Sequence, residues 1–186
     1  MSNCNLNTGY VLGCAITGGI KNVYLGEFDA AQVFTPDANN VITTFTQNPN
    51  PATGNVPGVF NMGQDTEYAG VEGAGTHSIE NGTVFYETKV TLRFAGLSNE
   101  LREVLMQLGK APLYAVIESD NGEFYVLGNE KAGRASSSTA TLGKAMGDFN
   151  GVDLEITFKS KDPIQLIDSA LLVPVASATA TDIPVN

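Results

Sequence analysis

Tryptophan is missing from this chain of 186 residues, histidine occurs once and cysteine twice. Each scarcity removes a class of chemistry. With His77 alone, no histidine cluster can bind a metal, and Cys4 and Cys14 lie in a different zone of the sequence. A Ser-His-Asp relay would have to be built on His77 in Gly75-Thr76-His77-Ser78, and no nucleophile-elbow sequence accompanies it. His77 is therefore expected to be an incidental strand or loop residue. Cations are also few, with 10 Lys and Arg against 20 Asp and Glu, a formal charge of -10. Tight nucleic-acid binding draws on cations that displace counterions from phosphates, so this balance argues against it, and against docking on an anionic membrane. No apolar run approaches the ~20 residues that span a bilayer, and a soluble protein is expected.

Two cysteines are no disulfide framework at this size. Cys4 and Cys14 can pair once or remain free thiols in a reducing compartment, and free thiols are the expectation. Val11-Leu12-Gly13-Cys14 has the look of a lipoprotein cleavage site, but no basic residue precedes Lys21 and no apolar stretch leads into it. Asn81-Gly82-Thr83 fits a glycosylation acceptor, with nothing pointing to secretion.

What is present is mostly strand. From Thr83 to Phe94, Val84, Tyr86, Val90, Leu92 and Phe94 share one face, while Glu87, Lys89, Thr91 and Arg93 share the other. Val152, Leu154, Ile156 and Phe158 repeat the pattern against Asp153, Glu155, Thr157 and Lys159. Leu113–Ile117 and Glu123–Leu127 flank Asp120-Asn121-Gly122 and predict a hairpin closed by a tight primed turn. Ile20–Glu27 and Val41–Thr46 are shorter strand candidates. One helix is expected over 98–109: Ser98 caps it, Glu100 and Glu103 sit near its positive end, and Gly109 ends it. Leu101, Val104, Leu105 and Leu108 form a single apolar stripe along it.

The chain divides into an N-terminal arm (1–18), a body (19–168) and a C-terminal arm (169–186) that Pro174 and Pro184 keep from being helical. Within the body, residues 47–75 read as a long projecting loop. Asn48-Pro49-Asn50-Pro51 and Gly54-Asn55 supply its turns, and a loop of that length is a candidate contact element. The fold class is mainly β: an antiparallel β-sandwich or barrel with one packed α-helix, a long projecting loop and extended arms. Gly70-Val71-Glu72-Gly73-Ala74-Gly75 lacks dinucleotide-fingerprint spacing and a following helix. Asp148-Phe149-Asn150-Gly151-Val152-Asp153 lacks the ligand ladder of a calcium loop and reads as a turn in which Gly151 takes an awkward backbone angle. Ser136–Thr141 is either a linker or an exposed strand facing a neighbour or a water-filled lumen. No enzyme, cofactor or metal site is expected.

The stretch Ile117-Glu118-Ser119-Asp120-Asn121-Gly122-Glu123-Phe124-Tyr125-Val126-Leu127-Gly128 resembles a hairpin in the tail-tube (major tail) proteins of tailed bacteriophages. Gly133-Arg134, the Ser136–Thr141 run, and Leu142-Gly143-Lys144-Ala145-Met146-Gly147-Asp148-Phe149-Asn150-Gly151 extend the likeness, which covers about residues 113–165. The resemblance implies a virion structural protein, made in the host cytoplasm. Its copies would close into homo-hexameric rings whose strands join in one β-barrel, and the rings would stack into a tube that binds other tail proteins. Phage DNA would pass through without specific binding, and no membrane is involved. On that reading Asn48, Pro49, Asn50, Pro51, Gly54 and Asn55 are candidates for contacts between subunits or rings. Glu87, Asp153 and Glu155 are candidates for acids that face the lumen. The alternatives are a capsid decoration protein, which would trimerise or bind a shell, and a monomeric β-sandwich that binds a sugar or peptide.

Overall fold

The longest alternations in the sequence become the central strands of a four-stranded sheet. The computed structural model describes residues 18–30, 32–46, 59–62, 68–78, 80, 82–168 and 171. In it β6 (Thr83–Ala95) and β10 (Gly151–Ser160) run antiparallel with Arg93 opposite Asp153 and Glu87 opposite Lys159. β5 (Gly70–Ser78) and β9 (Arg134–Thr141) flank them in the order β5-β6-β10-β9. A second sheet holds seven strands: β1 (Ile20–Glu27), β2 (Val33–Pro36), β3 (Ile42–Thr46), β4 (Val59–Asn61), β7 (Leu113–Ser119), β8 (Phe124–Leu127) and β11 (Gln165–Ile167). Their order is β2-β3-β11-β8-β7-β1-β4, and only the β3–β11 pair is parallel.

The two sheets share one core. Val23, Leu25, Ala115 and Ile117 of the larger sheet pack with Val90, Leu92, Leu154, Ile156 and Phe158 of the smaller one. Helix α1 (Asn99–Leu108) carries the chain between them. Ser98 Oγ accepts the Leu101 N–H at 3.1 Å, as its capping role requires, and Leu101 and Leu108 are buried. Gly109 follows the last helical residue in right-handed geometry (φ −67°), so it ends α1 without the left-handed cap that glycine commonly supplies. At the far end of the helix, Gly133 exchanges two backbone hydrogen bonds with Leu113 (2.7 and 2.9 Å), which ties the start of β9 to β7.

The larger sheet is buried on both faces. A second cluster of Ile42, Tyr114, Val116, Val126 and Ile167 lies on the side away from the smaller sheet. This explains why β7 reads as an unbroken apolar run instead of an alternation. A flat sheet would hold β2 about 19 Å from β7, four strand spacings away. Phe34 of β2 nevertheless meets Tyr114 of β7 edge-on, with ring centroids 6.1 Å apart. The sheet therefore curls back over its own outer face, half-way to a barrel.

Three local expectations are corrected. The turn after β7 is not a two-residue primed turn, because Gly122 alone has positive φ (79°). Gly122 N–H bonds Ser119 O and Ser119 N–H bonds Glu123 O, enclosing a three-residue loop with glycine in the left-handed position. Gly151 has no left-handed angle; it is needed for space, since a Cβ there would strike Phe94 O and the Phe149 ring. Residues 47–75 are not loop throughout, because β4 and the first six residues of β5 fall inside them. Glycines 70, 73 and 75 concealed the β5 strand pattern. The arms 1–18 and 169–186 lie almost wholly outside the described residues. Leu171 packs against the outer cluster.

Candidate functional site

The outer face of the four-stranded sheet is polar, and among the described residues it is largely exposed. On it, charged side chains of β6 and β10 meet in cross-strand pairs of opposite sign. Arg93 donates to both Asp153 oxygens (2.7 and 3.1 Å), Lys159 lies 3.1 Å from Glu87, and Lys89 lies 3.5 Å from Glu155. β9 extends the network, since Ser136 Oγ donates to Glu155 Oε1 at 2.9 Å and accepts from Thr157 Oγ1 at 3.0 Å. The three acids expected to face a lumen are thus brought together on one face, each beside a cation. Half-exposed pairs of this kind contribute little stability. Their consequence is electrostatic: the face is close to neutral although the chain is not.

Neither edge of this sheet has a described partner. Among the described residues, β5 pairs only with β6 and β9 only with β10. An edge strand of eight or nine residues without a partner is a template for another chain. β9 is the exposed-strand alternative for Ser136–Thr141; its small hydroxyls leave the backbone accessible. The far end of the β5–β6 hairpin also stands clear, because β10 stops at the Ser160–Tyr86 pair and leaves Thr83–Phe85 joined only to Thr76–Ser78. Val84 and Phe85 are exposed there, and His77 lies edge-on to Tyr86 with centroids 6.1 Å apart. That contact is an aromatic packing role.

At the opposite end of the sheet, Arg93 is clamped. Its guanidinium lies 4.4 Å from the Phe149 ring centroid and 4.7 Å from that of Tyr68, in addition to its Asp153 bonds. This clamp holds down the loop between β9 and β10. The loop is internally braced: the Asp148 carboxylate accepts the Lys144 and Ala145 N–H groups at 2.7 and 2.8 Å, and Gly143 takes φ +73° beneath it. Asp148 is therefore committed to the turn. On this braced loop Leu142 is 75% exposed and Met146 is fully exposed.

An apolar groove of about 510 Å³ opens on the β5 side, between the two sheets. Ile20, Ala69, Val71, Ile117, Tyr125 and Ile164 line it. Its border is acidic. Tyr125 Oη donates to Glu123 at 2.6 Å, and Asp120 lies over Gly19. Nearby, Lys21 Nζ and Asn22 Nδ2 donate to Glu118 at 2.6 and 2.7 Å.

Burial pushes the Glu118 carboxyl up, but the bonds from Lys21 and Asn22 and the Lys21 charge outweigh it and leave it below the ordinary value of 4.5. Backbone donors from Lys144 and Ala145 hold Asp148 below its usual 3.8. Lowered carboxyls contribute stability that is complete above the unfolded-state value and lost as pH falls through the folded-state value. The urea midpoint should accordingly be level above pH 5 or so, fall below about pH 4.5, and fall less steeply in Glu118→Gln. An acid limb unchanged in that variant would remove Glu118 from the account.

Asn48, Pro49, Asn50, Pro51, Gly54 and Asn55 lie outside the described residues. The sequence reading missed the groove, the clamp and the braced loop. Their signal was weak: Arg93 read as one more outward charge, and the groove draws its residues from five separated segments. No group of three or more His, Cys, Asp or Glu able to hold a metal occurs among the described residues, and no described helix is long and apolar enough to cross a membrane. The chain matches no protein-family profile, no curated protein and no solved structure.

Proposed function

We propose that the protein is a self-assembling virion subunit of the tail-tube kind, in which copies join through β5 and β9 and the polar sheet face lines a channel. One observation carries this reading: a four-stranded sheet whose outer face is polar and charge-balanced, and whose two edge strands have no further partner among the described residues. The four strands alternate in direction, so β9 of one copy meets β5 of the next antiparallel, and every junction repeats the last. Six copies, the number implied by the resemblance, give a barrel of about 24 strands; barrels of roughly 16–18 already leave an aqueous channel. Closure also removes the exposed edges.

The balanced face suits passage of a polyanion. The acids do not so much repel phosphate as occupy the cations that would otherwise hold it. The 48–55 segment is assigned to contacts between rings.

Negative-stain microscopy with light scattering on the full chain tests the reading. Rings or tubes with a stain-filled centre are expected, and deletion of residues 48–54 should shorten tubes while leaving rings. A monomer at the highest attainable concentration would sink the proposal. Normal tube length after the deletion would sink only the role given to that segment.

A further inference from the structure

We infer that the loop after β9 is a key for the neighbouring copy: Leu142 and Met146 seat in the apolar groove at the start of that copy's β5. The inference rests on the edge-to-edge ring proposed above and adds the contact that fixes it.

Topology brings the two together. Thr141 pairs with Gly151, Gly151 with Ala95, and Thr91 with Gly70, so the end of β9 and the start of β5 lie at the same end of the sheet. They sit on opposite edges of one copy, and therefore side by side when two copies join. By register Ser137 is level with Gly70, so chain leaving β9 at Thr141 has just passed the start of the neighbour's β5, where Ala69–Val71 form one wall of the groove.

Chemistry fits the placement. A braced loop that holds Leu142 and Met146 in water gains by covering them, and a methionine adapts well to an irregular apolar cleft. Bracing also lowers the ordering cost of docking, because the turn is already fixed by Asp148 and by Phe149 on Arg93. Charge is complementary as well. Lys144 lies two residues before Met146, whereas Asp120 and Glu123 contact the groove-lining Gly19 and Tyr125. Key and groove occupy different places on one chain, so each contact leaves one of each unsatisfied until the chain of contacts closes.

Assembly of the full chain by light scattering and negative stain tests this. Met146→Glu should raise the concentration needed for assembly about tenfold or more, since a side chain central to a contact is replaced by a charge facing an acidic border. Met146→Leu should assemble like the parent. Both should melt like the parent, because Met146 touches nothing within its own copy that its full exposure reveals. A second measurement places the contact: in a Cys4→Ser, Cys14→Ser background, chains with Met146→Cys mixed with chains with Ile164→Cys should form disulfide-linked dimers on oxidation that neither forms alone. If Met146→Glu assembles normally and the mixture does not cross-link, the key is overturned while the ring reading stands. If the parent chain itself never assembles, both fall.

Discussion

Gly133→Ala is expected to lower the thermal midpoint by about 6–12 °C, the effect of roughly 3 kcal/mol on a chain of this size. A methyl group at Gly133 would overlap the Phe158 ring, which is 3% exposed in the core and also lies close to Gly128. An aromatic ring cannot fold out of the way as the end of a lysine can. The position also carries both hydrogen bonds to Leu113, so the backbone cannot retreat without loosening the tie between the sheets. Room made in the ring should therefore repair the damage. Gly133→Ala combined with Phe158→Leu should be more stable than the sum of the two single losses by about 1 kcal/mol or more, as neighbours in contact couple. Calorimetry on the four proteins decides it; strict additivity would mean that the clash is relieved elsewhere.

On the tail-tube reading proposed above, Glu87→Gln, Asp153→Asn and Glu155→Gln together should leave assembly intact and make the assembly retain DNA that the parent lets pass. The three changes unmask Lys159, Arg93 and Lys89 on every copy while keeping side-chain volume and hydrogen-bonding capacity. Fold stability should change little, because exposed or half-exposed pairs are worth about 0–1 kcal/mol each. Affinity for duplex DNA should rise steeply at low salt and fall with a slope of about −0.9 per phosphate contacted. Gel retardation of DNA by assembled protein, repeated from 50 to 200 mM salt, is the measurement. Retention no greater than in the parent would show that this face does not meet the channel. It would leave open which other face does so, and the cross-link described above would then report on the ring independently.

Strand phase was legible in the sequence wherever one face meets water. Thr83–Phe94 and Val152–Phe158 alternate cleanly because their outer rows are bare, and Ser98 announced the helix start through its position before the apolar stripe. The strands that escaped notice lacked this contrast. β5 is rich in glycine, which carries no phase, and β4 and β11 are three residues each, too short for any period. The polar face was foreseen as outward charge, but its neutrality was not. Pairing of Glu87 with Lys159 and of Asp153 with Arg93 depends on register between strands 60 or more residues apart in sequence. Composition alone, with its excess of acids, pointed toward repulsion. Only the register shows that these acids are already occupied.

The curl of the seven-stranded sheet gives β7 an unusual station. It is walled by side chains above and below and by β1 and β8 on either side, so no edge, face or turn exposes its amides. Local breathing, which frees protons at sheet margins, cannot reach it without parting both clusters at once. Deuterium should therefore enter β9 within the free subunit early and β7 last of all. The strand that would be joined to a neighbour is then the one most easily released, while the strand that organises the subunit is the slowest to open.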